Sequence, residues 1–157
     1  MQQHRPIGYW LRLLDQLIEE HLNRVLAAEA LHRRHWQTMN LLRAAPAAQD
    51  TIAETLRPFW SASSVGVDEV LDELVRRAWI TSRQPYGLTP AGEAAHTTLA
   101  RIVERAARQI NEGVGAKQYD DTVEVLRHMV KNTENLRRSA PSRRATEPGR
   151  PQPGAQF

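Results

Sequence analysis

Cysteine is absent from the 157-residue sequence. That excludes disulfides, thiolate zinc sites and thiol-based oxidation sensing. Long apolar runs are missing too, since no stretch reaches the roughly 18 apolar residues that a membrane-spanning helix needs. Met1 to Pro6 is polar and leads straight into an amphipathic segment. It lacks the apolar run and small-residue cleavage site of a secretion signal. The expected location is therefore the cytoplasm, with no membrane partner. There is no Gly-rich phosphate loop, no Gly-x-Ser-x-Gly elbow and no His-Glu-x-x-His pair. No enzyme and no cofactor are expected.

A basic body is also lacking, although the formal charge is +3. Arg137, Arg138, Arg143, Arg144 and Arg150 follow Leu136, with only Glu147 against them. Residues 1–136 keep 16 basic and 17 acidic side chains. The high pI belongs to the tail and is no argument for a basic face. Residues 139–157, rich in Pro, Gly, Ser and Arg, read as a disordered tail. Its arginines would either add diffuse attraction to DNA or simply solubilise the chain.

Helical periodicity dominates the rest. Ile7, Trp10, Leu11, Leu14, Leu17, Ile18, Leu22, Val25 and Leu26 repeat every three or four residues, the mark of one helical face. This predicts a helix from residue 7 to about 30, some 33 Å long at about 1.5 Å per residue. So long a leading helix is expected to bury its stripe against another subunit or a distant C-terminal helix. A second helix is predicted over 33–43, with Trp36, Met39 and Leu42 inward. A third is predicted over 50–57, stopped by Pro58. A fourth spans 65–77, with Val67, Val70, Leu71, Leu74 and Val75 inward.

Residues 79–82, Trp-Ile-Thr-Ser, suit a short strand. Residues 84–87, Gln-Pro-Tyr-Gly, suit a tight turn, and Leu88 a remnant return strand. Thr89 and Pro90 then open a helix over 90–112, with threonine as cap, proline at the first position and Glu93 in the first turn. Gly113 and Gly115 end it, and a last helix is predicted over 117–137. No internal repeat is present.

Short helix, turn, second helix and small hairpin, in that order, make a winged helix-turn-helix layout. Four segments carry a resemblance to a known family: Leu31-His32-Arg33-Arg34-His35-Trp36, Ile52-Ala53-Glu54-Thr55-Leu56, Leu74-Val75-Arg76-Arg77-Ala78-Trp79-Ile80, and Leu88-Thr89-Pro90-Ala91-Gly92. In this order and spacing, over residues 7 to about 136, the chain resembles the MarR family of bacterial transcription regulators. The resemblance implies a mainly α fold with a small β-hairpin wing and a helical dimerisation region. It implies a single winged-helix domain over 1–138, with DNA-binding part 33–88 and dimerisation helices 7–30, 90–112 and 117–137. It further implies a homodimer that binds double-stranded DNA in the cytoplasm, at the nucleoid, and is often released by a small-molecule effector.

Two features depart from the family's pattern. The wing is short and offers only Arg83. The fourth helix exposes Asp68, Glu69, Asp72 and Glu73 where polar and basic groups are usual. Residues 50–88 hold four basic side chains (Arg57, Arg76, Arg77, Arg83) against six acids (Asp50, Glu54, Asp68, Glu69, Asp72, Glu73). Nonspecific DNA affinity comes mostly from cations releasing counterions, so this surface is expected to hold duplex weakly. The alternative is a winged-helix dimer that acts as a protein-interaction or ligand-sensing module.

The candidate DNA contacts are Ser61, Ser63 and Ser64, each with a competing reading as a helix cap, together with Arg83 and Gln84 in the wing. Asp68 is a candidate too, either as an acceptor of a cytosine amino group or, like Glu69, as a partner of the helix dipole. Tyr9, Trp10, Trp36, Phe59 and Trp60 are candidate walls of a pocket for an aromatic or hydrophobic effector, with plain core as the other reading. His21, His32 and His35 lack a completing carboxylate pattern. They read as ordinary polar or partly buried histidines, and no metal is expected.

Overall fold

The computed structural model describes residues 5–60 and 65–139. Ser61, Ser63 and Ser64 lie outside the described residues, as do all but the first position of the tail. The chain divides into two compact units, residues 1–112 and 113–157.

In the first unit, α1 (Ile7–Leu26) ends in a 3₁₀ turn (Ala27–Glu29) and is followed by α2 (Arg33–Ala44), α3 (Gln49–Thr55), α4 (Arg57–Trp60), α5 (Val67–Arg76) and α6 (Pro90–Ile110). The core sits where these meet: Leu26, Met39, Ile52, Val70 and Leu74 are fully enclosed, and Leu31, Leu42, Leu71, Ile80 and Leu99 are nearly so. Each such side chain contributes about 1.5–3 kcal/mol on burial. α6 packs on α1 and α2, and α5 packs on α2 and α3. The apolar pattern of α5 emerges as read, with Val70, Leu71 and Leu74 buried and Val67 and Val75 half-buried.

Only the C-terminal end of the α1 stripe is covered. Leu22 and Leu26 are buried, whereas Trp10 is 55 % exposed and Leu14 51 % exposed, with Ile7, Leu11 and Leu17 similar. In the second unit, α7 (Ala116–Ser139) leaves Tyr119, Val125, Met129 and Val130 exposed, with only Val123 and Leu126 half-buried.

Three sequence expectations change. The helix expected over 50–57 breaks at Leu56, whose backbone leaves the helical region (φ −97°, ψ 8°). Pro58 does not stop a helix but lies in the first turn of α4, where a helix makes no use of the N–H that proline lacks. The hairpin wing has no strand among the described residues. It is reduced to two isolated bridges, Ile80 with Leu88 and Ala47 with Tyr86. Thr81 explains why. Its Oγ1 accepts from Gly87 N–H at 3.1 Å and lies 3.2 Å from the Arg83 carbonyl. The side chain thus closes the loop that a longer ladder would have extended, and Pro85 has no N–H to add.

Ala30 ends the 3₁₀ turn in the left-handed region at φ 54° and ψ 39°. An L-residue is disfavoured there by about 1–2 kcal/mol, partly offset in glycine by unfolded-state entropy. Ala30→Gly should therefore stabilise the protein by about 0.5–1 kcal/mol. Equilibrium urea unfolding checks this, and a lowered midpoint would contradict it.

Candidate nucleic-acid interface

α3 and α5 form the helix pair, and neither is capped by its own N-cap side chain. Ala48 and Gly66 hold those positions and make no side-chain cap. The first N–H of α3, on Gln49, donates instead to Gln84 Oε1 at 2.8 Å, from the wing loop 35 residues away. Gln49 Nε2 in turn donates to the Asp68 carboxylate in the first turn of α5. Glu69 reaches back to accept from Gly66 N–H at 3.4 Å. Asp68 and Glu69 thus favour the positive end of the α5 dipole.

The wing is pinned beside this pair. Ala47 and Tyr86 exchange two backbone hydrogen bonds, 2.9 and 2.8 Å, immediately before α3. Arg83 stands on the exposed loop with no side-chain partner among the described residues.

The charges on α5 are partly consumed internally. Glu73 is half-buried, not freely exposed as the sequence suggested. It accepts from Arg77 Nε at 2.6 Å and from Arg76. The Arg77 hydrogen bond first, then that of Arg76, holds its carboxyl below the usual carboxylate range. Arg77 also lies over the Trp79 ring, 4.9 Å from its centre. Neither arginine is a free cation. Asp68, Glu69 and Asp72 remain exposed on the outer face.

Among the described residues the five candidate pocket aromatics make the following contacts. Tyr9 and Trp10 meet edge to face at 5.3 Å on the exposed end of α1. Trp36 stacks on His96 at 4.8 Å. Phe59 lies near the guanidinium groups of Arg33 and Arg34, 5.2 and 5.7 Å from their central carbons. Trp60 lines a cavity of about 500 Å³ with Asp50, Ala53, Glu54, Arg57 and Val67, and its buried indole N–H has no partner among the described residues. Trp36, Phe59 and Trp60 also pack on the core.

Apolar periodicity gave no sign of a buried polar cluster at the start of α2. Arg33, Arg34, His35 and Thr38 are all buried. Arg33 pairs with Asp15 at 2.9 Å and Glu19 at 3.0 Å, and Arg34 pairs with Glu19 at 2.9 Å. The one available signal was the four-residue spacing of Asp15 and Glu19, which puts both carboxylates on one face of α1. Arg12, Asp15, Gln16, Glu19 and Arg34 line a cavity of about 220 Å³, and the buried Arg34 Nε has no partner among the described residues.

His32 and His35 lock the α2 N-terminus. His32 Nδ1 accepts from Arg34 N–H at 3.3 Å, and His35 Nδ1 accepts from His32 N–H at 3.2 Å. Both imidazoles must be neutral at Nδ1 to accept. Burial, then Arg34, pushes His32 down. Burial, then His32, pushes His35 down to about 4. His96, whose Nε2 lies 3.2 Å from Asn40 Oδ1, is also lowered, by burial and then Arg43. Among the described residues no group of His, Asp and Glu could hold a metal ion. None of their helices is long and apolar enough to cross a membrane.

No family model matches the sequence, and no curated protein matches it significantly. Solved structures do match. A MarR-family protein of Mycobacterium tuberculosis in complex with DNA aligns with TM-score 0.66 at 18% identity, over 80% of this chain and 98% of that one. The oxidized form of MarR from E. coli aligns with TM-score 0.64 at 17% identity, over 82% and 96%. A MarR-family regulator from Rhodococcus aligns with TM-score 0.66 at 18% identity, over 78% and 92%. The fold is that of the MarR-family winged-helix regulators.

Proposed function

We propose that this chain, folded as those regulators are, is a duplex-DNA-binding transcription regulator that acts as a homodimer and is released by a small aromatic acid. The observation that carries the reading is the α3–α5 pair with its pinned wing, in a fold also seen in a protein solved on DNA. The uncovered apolar residues of α1 and of α7 support the homodimer, because stripes this large call for a partner surface.

Similar structures complexed with salicylic acid and p-aminosalicylic acid support the effector. In this chain the 220 Å³ cavity brings Arg12 and Arg34 to one wall, and a carboxylate there would compete with Glu19 for Arg34. That cavity replaces a joint pocket of the five aromatics as the candidate effector site.

Mobility-shift titration on the DNA upstream of its own gene tests the reading, with light scattering to fix the oligomer. A dimer should shift a palindrome with half-sites about 10 base pairs apart. Salicylate should release it. Arg83→Ala should weaken binding on all sequences alike and reduce the salt slope by about 1 per subunit. A folded dimer that shifts no DNA at low salt would sink the proposal. If that dimer instead bound a basic protein, the acidic outer face of α5 would mark an interaction module.

A further inference from the structure

We infer that Gln49 is the positioning residue of the reading head, joining the wing, α3 and α5 through Gln84 and Asp68. The inference rests on the DNA-binding reading above. It reassigns two side chains that sequence alone offered as DNA contacts.

Gln49 is the first residue of α3, and its two polar ends face different elements. Its backbone N–H is capped by Gln84 Oε1 at 2.8 Å, and its side-chain amide donates to Asp68. The preceding N-cap, Ala48, has no side chain able to do either job. The Ala47–Tyr86 bridge holds the wing backbone at the same level. One polar chain therefore runs from wing to first helix to second helix, across 35 and 19 residues of sequence.

The carboxyl oxygen of Asp68 that accepts from Gln49 is taken, as is the Gln84 carbonyl. Neither atom is offered to a base. What the chain fixes instead is the separation between Arg83 and the outer face of α5. That separation sets whether wing and helix engage the same duplex, and such docking depends on preformed geometry.

The experiment is a charge-and-polarity exchange. Gln49→Glu keeps the backbone cap but places two carboxylates together, and should weaken operator binding about tenfold. Adding Asp68→Asn sets an amide donor opposite the introduced carboxylate and should return affinity to within about threefold of wild type. Asp68→Asn alone, which still accepts from Gln49, should keep the preferred sequence unchanged. Amide exchange at Ala47 and Tyr86, read without DNA, should quicken in Gln49→Glu and recover in the double variant.

The inference is overturned if Gln49→Glu leaves both affinity and exchange unaltered. It is equally overturned if the double variant fails to recover, or if Asp68→Asn alone changes which base is preferred. Wild-type protein that shifts no DNA defeats the underlying function. The exchange rates then still decide whether the clamp exists.

Discussion

Gly92→Ala should lower stability by about 3 kcal/mol or more, or prevent folding, although it adds one methyl group at the start of a helix. A Cβ at Gly92 would lie 1.9 Å from the Trp79 carbonyl oxygen and 2.8 Å from its carbon. Both are backbone atoms, so no rotamer change relieves the clash. The Trp79 carbonyl cannot retreat, because it accepts from Thr89 N–H at 3.0 Å. Thr89 Oγ1 meanwhile binds the Ala78 carbonyl at 2.6 Å and accepts from Gly92 N–H at 3.0 Å. The start of α6 is thus nailed to the end of the α5 turn. Gly8→Ala is the control, since nothing lies within 4 Å of its added Cβ. It should stabilise α1 by about 0.5–1 kcal/mol. Urea denaturation of both variants decides the matter, and a Gly92→Ala protein as stable as wild type would refute the close approach.

Acidification should remove up to about 3 kcal/mol through His35 alone. Its folded pKa of about 4 lies below the ordinary 6.5. Above pH 6.5 the imidazole is neutral in both states, so no stability is lost there. Between 6.5 and about 4 the unfolded chain takes up a proton that the folded protein refuses, and stability falls as pH falls. His32 and His96 are shifted in the same direction and add to the loss. Glu73, held low by its arginines, adds more at lower pH still. Unfolding free energies measured from about pH 7.5 to about 4.5 should drop steeply in wild type. They should fall less in His35→Gln, whose side-chain oxygen can still accept from the His32 N–H. A flat wild-type profile would contradict the neutral two-histidine lock.

Local rules made part of this legible beforehand. Thr89 caps α6 and Pro90 sits at its first position, as the chemistry of those residues dictates. The inward set of α5 followed from spacing alone. What sequence could not show was distance across the chain. Gly92 looked like part of a family motif, yet its reason is a carbonyl thirteen residues earlier. Pro58 was read as a stop because a helix was assumed to precede it without a break. Nothing in the local pattern marked Arg33 and Arg34 for burial, because the carboxylates that pair with them come from α1.

The site was less legible than the fold. Gln84 and Asp68 were expected as DNA contacts, and in the structure both accept from Gln49. A glutamine preceded by an alanine N-cap carries no local signature of a three-way clamp. Tyr9 and Trp10 were grouped with Trp36, Phe59 and Trp60 on residue type; in the structure Tyr9 and Trp10 meet each other, while Trp36, Phe59 and Trp60 pack on the core.

Ionic strength should sort the charges of this molecule into two populations. The Arg33 and Arg34 pairs with Asp15 and Glu19 are enclosed on the arginine side by packed side chains, where mobile ions screen poorly. Exposed pairs such as Arg57–Glu54, and a solitary wing cation such as Arg83, lie open to the full electrolyte. Added salt would then loosen grip on a polyanion while leaving the long leading helix firmly seated on α2. Under the proposed function, release from DNA and unseating of α1 from α2 would be separable events, each with its own range of salt concentration.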